Sequence, residues 1–282
     1  MKHAVLGAGG VGGLVGAALA RAGHEVLLLV RGPHPRRLTV ESTLLGNFEA
    51  AIEAVGTLET AVDVLWVATK AVHLPAALRV APARFVRGTV VPLLNGYDHV
   101  ALLRDDYPVV TPGVIRVEAE RPERGQIRQL GPFIRMELSG VLAGEIVTEL
   151  REAGVDAKVN PDEVTMLWGK LAMLAPMAMT TTAAGRPVGG VREDPQWRAH
   201  LVGILEEAVA VGRAAGANLD GGAALGALLG APAGMRTSMQ KDREAGRPLE
   251  LDAVAGPIMR GGRRSGISTP HTDELVRLLR ER

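Results

Sequence analysis

Cysteine is absent from the 282-residue sequence, so disulfides, thiolate metal sites and cysteine nucleophiles are excluded. Aromatic residues make up only 3% against 47% hydrophobic residues, so the core is sizeable and aliphatic. Neither sign of charge is in excess, and a net charge of +1 gives no footing for nucleic acid or an anionic membrane surface. No stretch approaches the roughly 18 continuous apolar residues of a membrane span. The opening MKHAVLGAGG carries no apolar targeting segment with a cleavage site. A soluble cytoplasmic protein is the expectation. Lysine is scarce too: of 32 basic residues only Lys2, Lys70, Lys158, Lys170 and Lys241 are lysines.

What is present alternates. HAVLGA (3–8), EVLLLV (25–30), VDVLWVA (62–68), GTVVPLL (88–94) and VVTPGVI (109–115) read as buried strands. VGGLVGAALARAG (11–23) between the first two reads as a helix. Such alternation predicts a parallel sheet with helices on both faces. Turn residues and alternation over 118–140 predict hairpin strands at a sheet edge, followed by a helix over 144–154 and a last strand over 156–160. NPDEVTMLWGKLAML then opens a helix, with Asn160 as cap, Pro161 in the first position and Glu163 in the third. Only helices are expected beyond it. The predicted class is therefore α/β, with a dinucleotide-binding domain over 1–161 and an all-helical substrate and catalytic domain over 162–282. No linker or repeat separates them.

GAGGVG (7–12) follows the first strand and opens the first helix, the context in which G-x-G-x-x-G carries meaning. Gly7 makes the tight turn, Gly9 lets a pyrophosphate approach the backbone, and Gly12 lets helix and strand pack closely. The cofactor-binding expectation covers Gly7, Ala8, Gly9, Gly10, Val11 and Gly12. An NAD enzyme usually carries an acid at the end of the second strand for the ribose 2′-hydroxyl. Here LLLVRGPHPRR offers Arg31, then Arg36 and Arg37, and no acid. A guanidinium suits a 2′-phosphate, so the cofactor is read as NADP. The alternative for these arginines is a solvated loop, more so for Arg36 and Arg37 than for Arg31.

Lys70 after the third strand and Asn95 after the fourth lie at carboxyl ends of parallel strands, where open α/β sheets bind ligands. Asn95 could equally shape a turn with Gly96. Lys170 stands among Met166, Leu167, Trp168, Leu171, Met173 and Leu174 in an arginine-rich chain. Burial disfavours its ammonium and a nearby carboxylate opposes that shift, which suits a proton donor; arginine cannot release its proton. The plain alternative is a lysine that snorkels its amine out of a half-buried helix. His3, His24, His34 and His99 show no metal-ligand spacing, and no metal is expected.

These pieces together resemble the ketopantoate reductase (2-dehydropantoate 2-reductase) family over the whole chain. The resemblance rests on GAGGVGG, the T-K-A after the third strand, the N-G after the fourth and the W-x-K-L of the first helix in the second half. It rests most on TSMQKDREAGRPLELDAVAGPIMRGGRRSGISTP (237–270). It implies a Rossmann-type domain followed by a helical one, and hydride transfer from NADPH to a 2-oxo acid, giving a 2-hydroxy acid, in pantothenate biosynthesis. It implies that Lys170 is the catalytic lysine and that Glu250 contacts that lysine and the cofactor side. Ser238 is implied to bind the substrate carboxylate, Asn95 to lie between cofactor and substrate, and Lys70 to sit in the crevice. Three positions where the family carries substrate-holding asparagines are Leu174, Ala178 and Val188 here. A site built to bond a hydroxyl draws selectivity from such donors. Another 2-oxo acid, bulkier or more apolar, is therefore the first alternative, and a non-catalytic NADPH-binding regulator the second. A methyltransferase fits the Arg31 strand end and the helical half poorly. The apolar helical half has room for a homodimer interface, though nothing in the sequence fixes one.

Overall fold

A computed structural model gives the structure and describes residues 1–281. The chain divides into two compact units, one of residues 1–94 with 99–163, the other of residues 95–98 with 164–282.

The first unit opens β1 (Lys2–Leu6), α1 (Gly10–Arg21), β2 (Glu25–Leu29), β3 (Arg37–Ser42), β4 (Phe48–Ala51), β5 (Glu53–Val55) and β6 (Val62–Val67). It continues α2 (Leu74–Leu78), β7 (Val86–Pro92), α3 (His99–Asp106), β8 (Gly113–Glu120), β9 (Gln126–Leu138), α4 (Ala143–Glu152) and β10 (Asp156–Val159). A parallel sheet runs β5-β2-β1-β6-β7. β1, β2, β6 and the second half of β7 are largely apolar because both faces are covered. Val5, Val26, Leu28, Val64 and Trp66 pack on one side with α1 and α4. Ala4, Leu6, Leu27, Leu65 and Val67 pack on the other with Leu74 and Leu103.

A second sheet departs from the sequence reading. β9 pairs with β3 along its first residues and with β10 along its last, both parallel, while β8 runs antiparallel along its other edge. β3 and β4, short segments with no apolar run to mark them in the sequence, complete this sheet. The strand expected over 109–115 starts later, at Gly113, and belongs here; Val110 makes only one bridge to Val90 of the parallel sheet. The expected hairpin over 118–140 is the β8–β9 pair.

The helix after β10 also starts later than its cap signals suggest. Asn160 Oδ1 accepts from the Asp162 amide in a local turn, and Glu163 is held by Arg104 at 2.7 Å rather than reaching back to the cap. α5 (Glu163–Ala184) therefore begins at Glu163 and leads into the second unit. α6 (Val188–Glu193), α7 (Pro195–Ala214), α8 (Gly221–Leu229), α9 (Ser238–Glu244), α10 (Leu251–Ser265) and α11 (Pro270–Glu281) follow. α5, α7, α10 and α11 share one aliphatic cluster that includes Trp168, Leu171, Leu201, Ile204, Leu251, Ile258 and Leu275. Among the described residues no helix is long and apolar enough to cross a membrane.

Candidate active site

The glycine-rich turn sits where the chain order reverses, with β2 on one side of β1 and β6 on the other. In open α/β sheets this is where ligand crevices form. Gly7 adopts φ +106°, and a Cβ there would stand 2.7 Å from the Ala68 carbonyl carbon and the Thr69 nitrogen at the end of β6. A Cβ on Gly12 would stand 2.2 Å from the Gly7 carbonyl oxygen. Gly9 differs: nothing lies within 4 Å of the Cβ position, so its face is open. Ala8 is buried, while Gly10 and Val11 are half-buried at the helix start. α1 begins with no side-chain cap and no acid in its first turn, leaving its positive end for an anion. Beside the turn, the Thr69 hydroxyl is buried without a partner.

Arg31 lies just past β2 and is exposed, as are Arg36 and Arg37; Arg37 begins β3 and pairs with Glu49 at 3.4 Å, so it is committed to the sheet. Lys70 is half-buried after β6, at the entry to a short turn over Ala71–His73. An open glycine face, an uncapped helix start, an orphaned hydroxyl and an arginine in place of an acid together fit a phosphate-bearing dinucleotide.

The second unit carries the other expected residues. Lys170 is half-buried on α5 and directly precedes the buried Leu171. Glu250 is buried and directly precedes Leu251, the first residue of α10. Leu171 and Leu251 belong to the same buried cluster, so α5 and α10, which carry the amine and follow the carboxylate, share one core. Glu250 occupies the helix-cap position without capping its own helix. Its Oε2 instead accepts from Asn95 Nδ2 at 3.3 Å. Gly96 explains how Asn95 gets there. It adopts φ +97°, and a Cβ would stand 2.4 Å from the Ala253 carbonyl oxygen of α10. Tyr97 then rests against Trp168 of α5, with ring centroids 5.2 Å apart. Asn95 thus leads a glycine turn while its side chain bonds Glu250.

Ser238 is the exposed first residue of α9, while Thr237 caps that helix. Asp242, four residues on, is buried and accepts from Arg247 Nε at 2.7 Å. This pair ties α9 to the Gly-Arg-Pro segment that leads to Glu250, a role the spacing did not reveal. Leu174 is half-buried one turn beyond Lys170, whereas Ala178 and Val188 are fully buried.

The fold also assembles a cluster that sequence spacing missed. His3 on β1, His24 before β2 and Glu149 on α4 offer ligand atoms within 4.8 Å of one another. His3 Nε2 lies 3.3 Å from one Glu149 oxygen, and His24 Nδ1 lies 3.7 Å from the other. Trp66 Nε1 donates to His3 Nδ1 at 3.2 Å, so the proton of the neutral ring resides on Nε2, the nitrogen nearer the carboxylate. Coordination through that nitrogen would displace this proton. The cluster is a buried histidine–carboxylate network rather than a ready cation site.

The description "Ketopantoate reductase PanE/ApbA" matches residues 3–139, and "Ketopantoate reductase PanE/ApbA C terminal" matches residues 163–282. The chain belongs to the ketopantoate reductase family. The 2-dehydropantoate 2-reductase of Mycobacterium tuberculosis is 33% identical over 98% of this chain and 96% of its own length. The enzyme of the same name from Caulobacter vibrioides is also 33% identical, over 98% and 97%. A solved 2-dehydropantoate 2-reductase from Geobacter metallireducens superposes with a TM-score of 0.91 at 26% identity, covering 100% of this chain and 99% of that one. The chain is thus an oxidoreductase of ketopantoate reductase type, with a parallel-sheet first domain and a helical second one.

Proposed function

We propose that this protein reduces a 2-oxo acid to a 2-hydroxy acid with NADPH, and that 2-dehydropantoate, giving pantoate, is its substrate. The observation that supports the reading is the Asn95–Glu250 hydrogen bond, formed within the unit that also carries Lys170. A bound reduced nicotinamide dinucleotide supplies the hydride for the carbonyl carbon. Gly7, Gly9 and Gly12 admit its pyrophosphate, Gly10, Ala8 and Val11 shape the same turn, and Arg31 suits a 2′-phosphate. Lys70 adds a cation at the crevice. Lys170 stabilises the charge that develops on the carbonyl oxygen and gives it a proton. Glu250 keeps the amine protonated until that step, and Asn95 orients Glu250. Ser238 hydrogen-bonds the substrate carboxylate. The same reading carries the expectations of a cytoplasmic enzyme and of a homodimer, the latter tested by light scattering on the purified chain.

A second reading is favoured by Leu174, Ala178 and Val188. Two of them are buried apolar side chains and the third lies one turn from Lys170. A substrate with an apolar chain in place of the hydroxyl-bearing one would suit them. Loss of nicotinamide absorbance with NADPH or NADH, across a panel of 2-oxo acids, decides. Preferred turnover of 2-dehydropantoate upholds the first reading; preference for branched or aromatic 2-oxo acids upholds the second. Cofactor binding with no turnover of any of them would leave a regulator instead.

A further inference from the structure

The hairpin joining β8 and β9 leans directly onto the glycine-rich turn. A Cβ on Gly10 would stand 2.3 Å from the Ala119 carbonyl oxygen and 2.7 Å from the Glu120 nitrogen, so strand and helix start meet backbone to backbone. From the next residue, Arg121 donates through Nη1 to the Ala8 carbonyl at 3.0 Å. Arg124, three residues on, donates to the Pro33 carbonyl in the loop that follows Arg31. Gly125 adopts φ +85° and lies against Pro35, where a Cβ would stand 2.8 Å from the ring. The hairpin tip therefore ties together the two segments that a dinucleotide would span, the glycine turn and the end of β2.

The arginines at this tip stay outside its ion pairs. Among the described residues Arg31, Arg121 and Arg124 have no carboxylate partner, whereas Glu120 is engaged by Arg128 and Glu123 by Gln126. Arg121 is exposed and spends one of its five N–H donors on Ala8. That bond holds the guanidinium at the phosphate turn in advance, which lowers the ordering cost of using it.

We propose that Arg121 is a cofactor-binding residue, one that takes the pyrophosphate of a dinucleotide seated on the glycine-rich turn. This rests on the nicotinamide-dinucleotide reading above. A planar guanidinium can engage two phosphate oxygens at once, supplementing the backbone N–H groups and the helix dipole. Arg124 holds the hairpin so that Arg121 stays in reach.

Titration calorimetry of the full chain with NADPH, NADH and ADP tests this, alongside the melting temperature of each ligand-free variant. Arg121→Gln is expected to weaken all three ligands about tenfold or more, with an unchanged melting temperature. The salt dependence of binding should flatten as well, because a screened charge has been removed. Unchanged affinities overturn the proposal. So does a loss of affinity that comes with a lower melting temperature and an unaltered salt dependence, since the residue would then only support the hairpin. Should Arg121→Gln fail to fold, Arg121→Lys, which keeps charge without the fork, carries the same comparison with a smaller loss expected. If the unaltered protein binds neither dinucleotide, the functional reading fails together with this one; if it binds both and the variant binds equally well, this one alone fails.

Discussion

Lys170 was visible in the sequence through scarcity: one of five lysines, set in an apolar stretch. The Asn95–Glu250 pair was not visible, because the two residues are 155 apart and only the folded chain joins them. If Lys170 delivers the proton, removing the amine removes both the charge stabilisation and the acid. Lys170→Ala should lower turnover by about 10²–10⁴-fold while leaving NADPH affinity near its original value. Lys170→Arg keeps the charge but cannot release a proton, so it should stay well below the unaltered protein in the same assay. A fully active Lys170→Arg would remove the acid role and leave electrostatics alone. Glu250→Gln keeps the shape and an acceptor for Asn95 but not the charge that steadies the amine. Its pH–rate profile should shift toward lower pH, as a less strongly held proton leaves the lysine sooner. The glycines were only partly legible. The motif pointed to Gly7, Gly9 and Gly12, but the reason for Gly10 lies in the backbone of a strand more than a hundred residues away, which no local pattern announces.

Elements with strong apolar runs were legible: β2 and β6 fall within the segments read as strands, and β1 and β7 overlap theirs, each starting one or two residues earlier. β3 and β4 were not, because RLTVES and FEAA are short, carry charges on the outward face and hide an alternation of buried and exposed positions. The start of α5 was misplaced because Glu163, which looks like half of a capping box, is claimed by Arg104 on α3. A long-range cap replaces a local one at α11 also. Glu207 on α7 accepts from the backbone N–H groups of His271 at 2.7 Å and Thr272 at 2.9 Å, and from the Thr272 hydroxyl at 2.6 Å. Its carboxylate is buried and lies at the positive end of a helix it does not belong to. Glu207→Ala strands two backbone donors, one of them buried, and a hydroxyl, so urea unfolding should show a loss of about 2–4 kcal/mol. Glu206→Ala, the exposed neighbour, should cost almost nothing in the same measurement. Equal effects of the two would mean that the cap contributes no more than helix propensity. The Asp242–Arg247 pair predicts a different signature. Arg247→Ala frees the segment before Glu250, so turnover should fall while cofactor affinity holds.

At the scale of the whole molecule, α/β alternation followed by helices was enough to foresee a parallel-sheet half and a helical half. The second sheet was not foreseeable, because it joins β3 and β4 to strands that follow β7 and α3, and local periodicity carries no pairing information. The same long-range assembly created the His3, His24 and Glu149 network, which has a consequence for acid stability. His3 is completely buried, and that burial, with help from the neighbouring His24, holds its pKa down to about 3. Unfolded, the same imidazole titrates near 6.5. Between those values the unfolded chain binds a proton that the folded chain refuses, so stability falls as pH drops through that window and this group adds no further loss below it. Urea midpoints should therefore decline from about pH 7 to about pH 4. His3→Gln, which can still accept from the Trp66 N–H, removes the titrating ring and should flatten that decline. If the unaltered protein and the variant lose stability in parallel across the window, the buried ring is not what couples this fold to protons, and the carboxylates would have to account for the slope instead.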